Sequence, residues 1–230
     1  MTRFPRRPIC TATEDVGAVP KAMLRSKLAG LYALTPDVPD TQVLVSRTAQ
    51  ALNGGASAIQ YRNKTAAATL KLEQAIALRT LCAARGAIFI VNDDIELAVA
   101  AGAAGIHLGR DDASIAAARA RLGPAAIVGV SCYDAIARAQ VAVAAGGDYV
   151  AFGSFYPSLV KPDAVRPKPG LIAESKARWP GMNVVAIGGI TAANAAPLIA
   201  AGADAVAVIS ALYDAPDIAL AARGLVACFR

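Results

Sequence analysis

The chain reads as a single-domain α/β protein, a (β/α)8 TIM barrel, on three observations. One short pattern recurs four times, as Gly55-Ala56-Ser57-Ala58-Ile59, Gly102-Ala103-Ala104-Gly105-Ile106, Gly146-Gly147-Asp148-Tyr149-Val150 and Gly202-Ala203-Asp204-Ala205-Val206. Each copy follows an alanine-rich helical run and opens a short apolar strand. Its leading glycine supplies a left-handed cap, and the small residues after it let the helix lie close to the sheet. The copies are spaced by 44 to 56 residues, about the length of two βα units, so four of them imply eight strands. With 230 residues, 56% hydrophobic and 17% charged, the chain can bury one large core without disulfides.

In order, strands are predicted near 31–35, 58–62, 87–91, 105–109, 126–131, 149–153, 183–187 and 205–210. Helices are predicted near 41–53, 68–85, 94–101, 114–121, 134–145, 170–178, 192–201 and 216–228. The third and seventh strands, Ala87-Ile88-Phe89-Ile90-Val91 and Asn183-Val184-Val185-Ala186-Ile187, are the nearly continuous apolar runs expected of parallel strands covered on both faces. Residues 29–230 form the barrel in this reading, with no linker inside it. Residues 1–28 are expected to be a flexible basic extension, since they hold six basic against two acidic residues and three prolines, and lack the apolar centre of a signal peptide. That segment carries most of the net charge of +6 and leaves the barrel nearly neutral. No basic stripe with interleaved aromatics appears, so no nucleic-acid partner is expected.

The mean hydropathy of +0.45 comes largely from alanine. The longest uncharged stretch, Asn183 to Ala203, is broken by Gly188-Gly189, Asn194 and Pro197, so no membrane span is expected. Cys10, Cys82, Cys132 and Cys228 form no CxxC pair, and one histidine gives no zinc spacing. They read as reduced thiols of a cytoplasmic protein.

Polarity breaks the apolar runs at the C-terminal ends of the strands, the end at which such barrels carry their active sites. The second strand ends Gln60-Tyr61-Arg62-Asn63-Lys64, and a period of two puts Gln60, Arg62 and Lys64 on one face. Cations aimed into a barrel need an anion, either a structural salt-bridge partner or a ligand. The third strand ends Asn92-Asp93-Asp94, and the fourth runs through His107 to Asp111-Asp112. Asp93 and Asp112 offer hard oxygen donors that suit Mg2+, with helix N-capping as the alternative; for Asp94 and Asp111 capping is the preferred reading. His107 reads as a satisfied core histidine. The fifth strand ends Ser131-Cys132-Tyr133, and the sixth feeds a long loop through Ser158, Val160 and Lys161. Glycine-rich turns at Gly188-Gly189 and after Ile209-Ser210 open onto helices, as in the usual barrel phosphate site. Two anion sites in one mouth follow, one metal-assisted and fitting a diphosphate, the other built of backbone amides and fitting a monophosphate. No nucleophile–base pair is evident, which favours leaving-group departure over triad chemistry.

Gln60–Lys64, Val91–Asp94, His107–Asp112, Gly129–Ser131, Pro157–Lys161, Gly188–Ile190 and Ile209-Ser210 occur in the order found in a known family. From about residue 29 the chain resembles the thiamine-phosphate synthase family. The resemblance implies an Mg2+-assisted transferase that joins a hydroxymethylpyrimidine diphosphate to a thiazole phosphate and releases diphosphate. It implies small-molecule partners only and is compatible with a homo-oligomer. It assigns Gln60, Arg62, Lys64, Asn92, Ser131 and Lys161 to the pyrimidine diphosphate, and Tyr61 and Asn63 of the same segment are expected to bind substrate with them. Arg62, Lys64, Ser131 and Lys161 would be the catalytic members and Asp93 and Asp112 the metal ligands. Ser158, Val160, Gly189, Ile209 and Ser210 would line the thiazole phosphate site. This chain departs from the family pattern at Ser154, where a proline is usual, at Ser158 and Val160, where threonines are usual, and at Cys132-Tyr133, where the family has Ala-His. The alternatives are a thiazole tautomerase-like enzyme, against which Tyr133 in place of a proton-transferring histidine counts, and a non-catalytic paralogue that binds a phosphorylated metabolite, which Val160 keeps open.

Overall fold

The computed structural model describes residues 21–22, 28–109, 114–157 and 165–230. Eight parallel strands close into a barrel in sequence order: β1 (Gly30–Leu34), β2 (Ala58–Tyr61), β3 (Ile88–Asn92), β4 (Gly105–Leu108), β5 (Ile127–Tyr133), β6 (Tyr149–Phe152), β7 (Asn183–Ile187) and β8 (Ala205–Val208). Pairing of β8 with β1, from Gly30↔Ala205 to Ala33↔Val208, closes the ring. The helices are α1 (Thr41–Asn53), α2 (Ala68–Ala84), α3 (Ile95–Ala101), α4 (Ile115–Leu122), α5 (Ile136–Ala144), α6 (Gly170–Arg178), α7 (Ala196–Ala200), α8 (Ser210–Tyr213) and α9 (Ile218–Ala227). Gly55, Gly102, Gly146 and Gly202 all have positive φ, so the four-fold pattern does mark the left-handed turn at which each of four helices ends.

Two cores result from strand alternation. Leu31, Ile59, Phe89, Val91, Ile106, Val128, Val150, Val184 and Val206 face the helices in the outer layer. Tyr32, Leu34, Ala58, Ile88, Ile90, Ile127, Tyr149, Val185 and Ala205 fill the barrel interior. Alternate residues of each strand therefore continue inward toward the C-terminal mouth.

Two predicted elements end differently. The eighth strand stops at Val208 and not at Ser210, because Ile209 leaves the extended region (φ −116°, ψ −82°) and Ser210 begins the short α8. Burial of Leu212 and Tyr213 provides for that extra turn of helix. The helix expected over 192–201 is regular only over Ala196–Ala200, because Asn194 is taken up by the preceding turn: its Oδ1 accepts from Thr191 N at 2.8 Å and its Nδ2 donates to Gly189 O at 3.0 Å.

At the opposite, N-terminal end, the third and fourth repeats reuse one device. Asp204 accepts from Val184 N at 2.7 Å and pairs with Lys176 at 3.0 Å. Asp148, with its side chain 4% exposed, accepts from Val128 N at 2.9 Å and pairs with Arg119 and, at 2.8 Å, with Lys21. Residues 1–20 and 23–27 of the expected extension lie outside the described residues, but Leu28 is buried in the interior core. Asp148→Ala strands the part-buried Arg119 guanidinium and a buried backbone amide. It is expected to lower stability by about 3 kcal/mol in urea unfolding, and a loss below about 1 kcal/mol would refute this role.

Burial also sets a pH limit. Desolvation pushes the thiols of Cys82 and Cys132 from 9.0 up to about 12, and the Tyr213 phenol from 10.0 up to about 12. Folded-state values raised above the unfolded ones give stability that is complete below about pH 9 and is lost as pH rises toward about 12, where the unfolded chain ionises first. Melting temperature is expected to hold up to that point and then fall, each ionising group adding a slope of up to about 1.4 kcal/mol per pH unit. A flat profile to about pH 11 would contradict it.

Candidate active site

The inward register brings Gln60, Arg62, Asn92, His107 and Ser131 to one end of the barrel. Gln60 and Asn92 lie within or at the end of their strands, Asn92 pairs in register with His107, and Ser131 pairs with Ala151. Lys64, two residues beyond Arg62, is exposed at the rim. Arg62 is anchored by its backbone: its N–H donates to Thr35 Oγ1 at 2.9 Å, and Thr35 Oγ1 donates to Arg62 O at 3.1 Å. Its guanidinium lies 3.5 Å from Asp37 Oδ1, a loose, part-exposed pair, and Lys64 N donates to the same oxygen at 3.3 Å. Asp37 thus keeps Arg62 and the Lys64 backbone together without a close ion pair.

Tyr61 and Asn63, expected to bind substrate, do not face into the barrel mouth. Both turn outward to Gln74 of α2. Tyr61 Oη donates to Gln74 Oε1 at 2.8 Å, and Asn63 Nδ2 donates to it at 3.2 Å. Asn63 Oδ1 also accepts from Thr65 N and Ala66 N, closing the turn into α2. The same period of two that turns Gln60 and Arg62 inward excludes Tyr61 and Asn63.

Asp93 stands directly after β3 in the left-handed region, φ +62°, with its N–H donating to His107 O at 2.8 Å. A left-handed non-glycine residue at a strand end costs about 1–3 kcal/mol, and such strain collects at functional sites. Asp94 caps α3 by accepting from Leu97 N at 2.9 Å, in line with the capping reading. Asp112, like Arg110 and Asp111, lies outside the described residues. Among the described residues no group of three or more His, Cys, Asp or Glu could hold a metal.

β5 carries a bulge between Ser131 and Tyr133, and such bulges re-aim side chains near active sites. Tyr133 has φ +56°, and the Arg138 guanidinium lies over its ring at 5.6 Å. Cys132 points into the outer core, and its raised pKa argues against a thiolate nucleophile.

Gly188 and Gly189 both have positive φ. A Cβ on Gly189 would lie 2.3 Å from Pro157 O, so this turn packs directly on the root of the long loop. Phe155 N donates to Ile187 O, Tyr156 N to Gly188 O, and Tyr156 Oη to Asn194 O at 2.7 Å. Gly189, Ile209 and Ser210 are part-exposed at the ends of β7 and β8. Ser158, Val160 and Lys161 lie outside the described residues.

Sequence reasoning missed the polar interior beneath this mouth. Gln60 Nε2 donates to Tyr32 Oη at 2.8 Å, and Tyr32 Oη lies 3.0 Å from Tyr149 Oη. Tyr149 Oη is 2.9 Å from His107 Nδ1, and His107 Nε2 is 2.9 Å from Ser131 Oγ. His107 is 8% exposed with both ring nitrogens engaged, the satisfied core histidine expected of it. Tyr32 and Tyr149 share the inward parity of Gln60 and Ser131, which was the available signal. Thr35 and Asp37 had none, because loop contacts across 25 residues or more leave no local pattern.

A (β/α)8 barrel with polar and cationic side chains gathered at its strand C-termini is the architecture of an enzyme acting on a small molecule. A family model described as "Thiamine monophosphate synthase" matches residues 31–212. The chain is 54% identical to the thiamine-phosphate synthase of Chromobacterium violaceum over 203 residues, 88% of this chain and 97% of that protein. It is likewise 54% identical to that of Thiobacillus denitrificans over 202 residues, 88% and 95% of the two chains. A solved thiamine phosphate pyrophosphorylase from Pyrococcus furiosus superposes with a TM-score of 0.78 at 33% identity, covering 90% of this chain and 97% of that one. The chain belongs to the thiamine monophosphate synthase family and is a transferase. No described helix is long and apolar enough to cross a membrane.

Proposed function

We propose that the protein is a thiamine-phosphate synthase joining 4-amino-5-hydroxymethyl-2-methylpyrimidine diphosphate to a thiazole phosphate in the cytoplasm. The observation that carries the reading is the shared inward register of Gln60, Arg62, Asn92 and Ser131 beside the strained Asp93, at the mouth of a barrel of this family. Arg62 and Lys64, with Lys161, would hold the diphosphate; Gln60, Asn92 and Ser131 would orient the pyrimidine end. Gly189, Ile209 and Ser210, with Ser158 and Val160, would hold the thiazole phosphate against the root of the loop.

The donor set fits Mg2+. Asp93 supplies a hard carboxylate at a strand end, the family resemblance would add Asp112, and a magnesium site needs only one or two carboxylates plus substrate phosphate oxygens. When bound, Mg2+ would neutralise charge on the leaving diphosphate. The bond between the pyrimidine methylene carbon and the diphosphate oxygen breaks with its electron pair leaving on oxygen, and the thiazole nitrogen lone pair forms the new C–N bond. The electron-rich pyrimidine supports the developing cation, while Arg62 and Lys64 stabilise the departing anion. This chemistry needs positioning and electrostatics, not a strong base, which agrees with the buried, inert Cys132.

The test is diphosphate release by purified protein given both substrates, with and without Mg2+. Metal-dependent release requiring both substrates is the expected result. Binding of the pyrimidine diphosphate without release would instead favour a non-catalytic paralogue.

A further inference from the structure

The hydrogen-bond chain inside the barrel has a direction. An amide nitrogen only donates, so at 2.8 Å Gln60 Nε2 makes Tyr32 Oη its acceptor. The Tyr32 proton then has one remaining neighbour among the described residues, Tyr149 Oη at 3.0 Å. Tyr149 accepts that proton and must place its own on His107 Nδ1, 2.9 Å away. A ring whose Nδ1 accepts keeps its proton on Nε2, which donates to Ser131 Oγ at 2.9 Å. Ser131 is left with its own hydroxyl proton directed away from the ring.

With the Gln60 amide so oriented, the reverse order would leave the Tyr32 proton without an acceptor at a residue 1% exposed, at the full desolvation penalty of an unmade bond. Desolvation holds both phenols protonated by raising their pKa values. The packing is equally specific: the His107 and Tyr149 rings stack at 5.5 Å and 24°, in space left by the missing side chain of Gly129.

We propose that Tyr32, Tyr149 and His107 are positioning residues that lock His107 in the Nε2–H tautomer and thereby make the Ser131 hydroxyl a hydrogen-bond donor toward a substrate acceptor atom. The part concerning substrate rests on the function proposed above; the tautomer does not.

The chain contains one histidine, so 15N-histidine labelling of protein free of any histidine tag yields a single, self-assigned pair of ring nitrogens. The expected spectrum has a protonated Nε2 and an unprotonated, pyridine-like Nδ1. A protonated Nδ1, or a mixture of tautomers, overturns the proposal. Tyr149→Phe keeps the ring stack and removes the linking hydroxyl. It is expected to abolish the single tautomer and to lower kcat/KM about tenfold. An unchanged tautomer in that variant also overturns the relay, and a purely structural role for Tyr149 would leave the tautomer unmoved. If Tyr149→Phe fails to fold, the wild-type spectrum still decides. An Nε2–H spectrum in a protein that releases no diphosphate supports the relay and strikes the functional reading alone.

Discussion

Asp93→Asn is expected to lower kcat for diphosphate release by about 10²- to 10³-fold while leaving the fold intact, because it removes a carboxylate that would hold the Mg2+ neutralising the leaving diphosphate. The backbone explains why the fold should survive. Asp93 sits at φ +62°, and asparagine tolerates the left-handed region as well as aspartate does. The N–H bond to His107 O at 2.8 Å is independent of the side chain. Stability is therefore expected to stay within about 0.5 kcal/mol of wild type, whereas a β-branched residue such as valine would add strain at the same position. Lys64→Ala and Asp112→Asn should act in the same direction. Near-normal turnover in all three variants would remove the diphosphate site from this mouth.

Gly129→Ala should be strongly destabilising for the addition of a single methyl group to this barrel interior. Its Cβ would stand 1.9 Å from Tyr149 Cζ and 2.2 and 2.4 Å from two further ring carbons, so the ring must move. Tyr149 is fully buried, and its hydroxyl joins Tyr32 to His107. Displacing it combines overpacking with broken buried hydrogen bonds, for an expected loss of more than about 3 kcal/mol. A double-mutant cycle with Tyr149→Leu, which removes most of the clash, should recover a large part of that loss. A Gly129→Ala protein as stable as wild type would show that the ring does not occupy this space.

Much of this molecule was legible before its coordinates. The four-fold glycine pattern carried the barrel, since a helix that must stop and lie close to a strand needs a left-handed turn and small side chains in fixed order. All eight strands fall within about two residues of their predicted ends. β8 stops two residues early: Ile209 and Ser210 look like strand by hydropathy but leave it because Leu212 and Tyr213 find burial under the barrel wall. The inward turn of Gln60 and Arg62 was readable because alternation in a strand is a local property, whereas Lys64 stands past the end of β2, exposed at the rim. Tyr61 and Asn63 belong to the same five-residue segment, and only the packing of Gln74 from α2 makes plain that they serve the turn and the outer layer.

The division has a physical basis. Caps, turns and periodicity are decided within a few residues, so the order of amino acids is enough to determine eight βα units, the end of the barrel that carries chemistry and the residue types gathered there. The linkage of Gln60, Tyr32, Tyr149, His107 and Ser131 spans strands up to 117 residues apart, from Tyr32 to Tyr149. Its existence depends on barrel closure, which sets those side chains across one small interior, and on the burial of Tyr32 and Tyr149 there, which leaves each phenol proton a partner only within the chain of side chains. Those two conditions arise only in the folded chain.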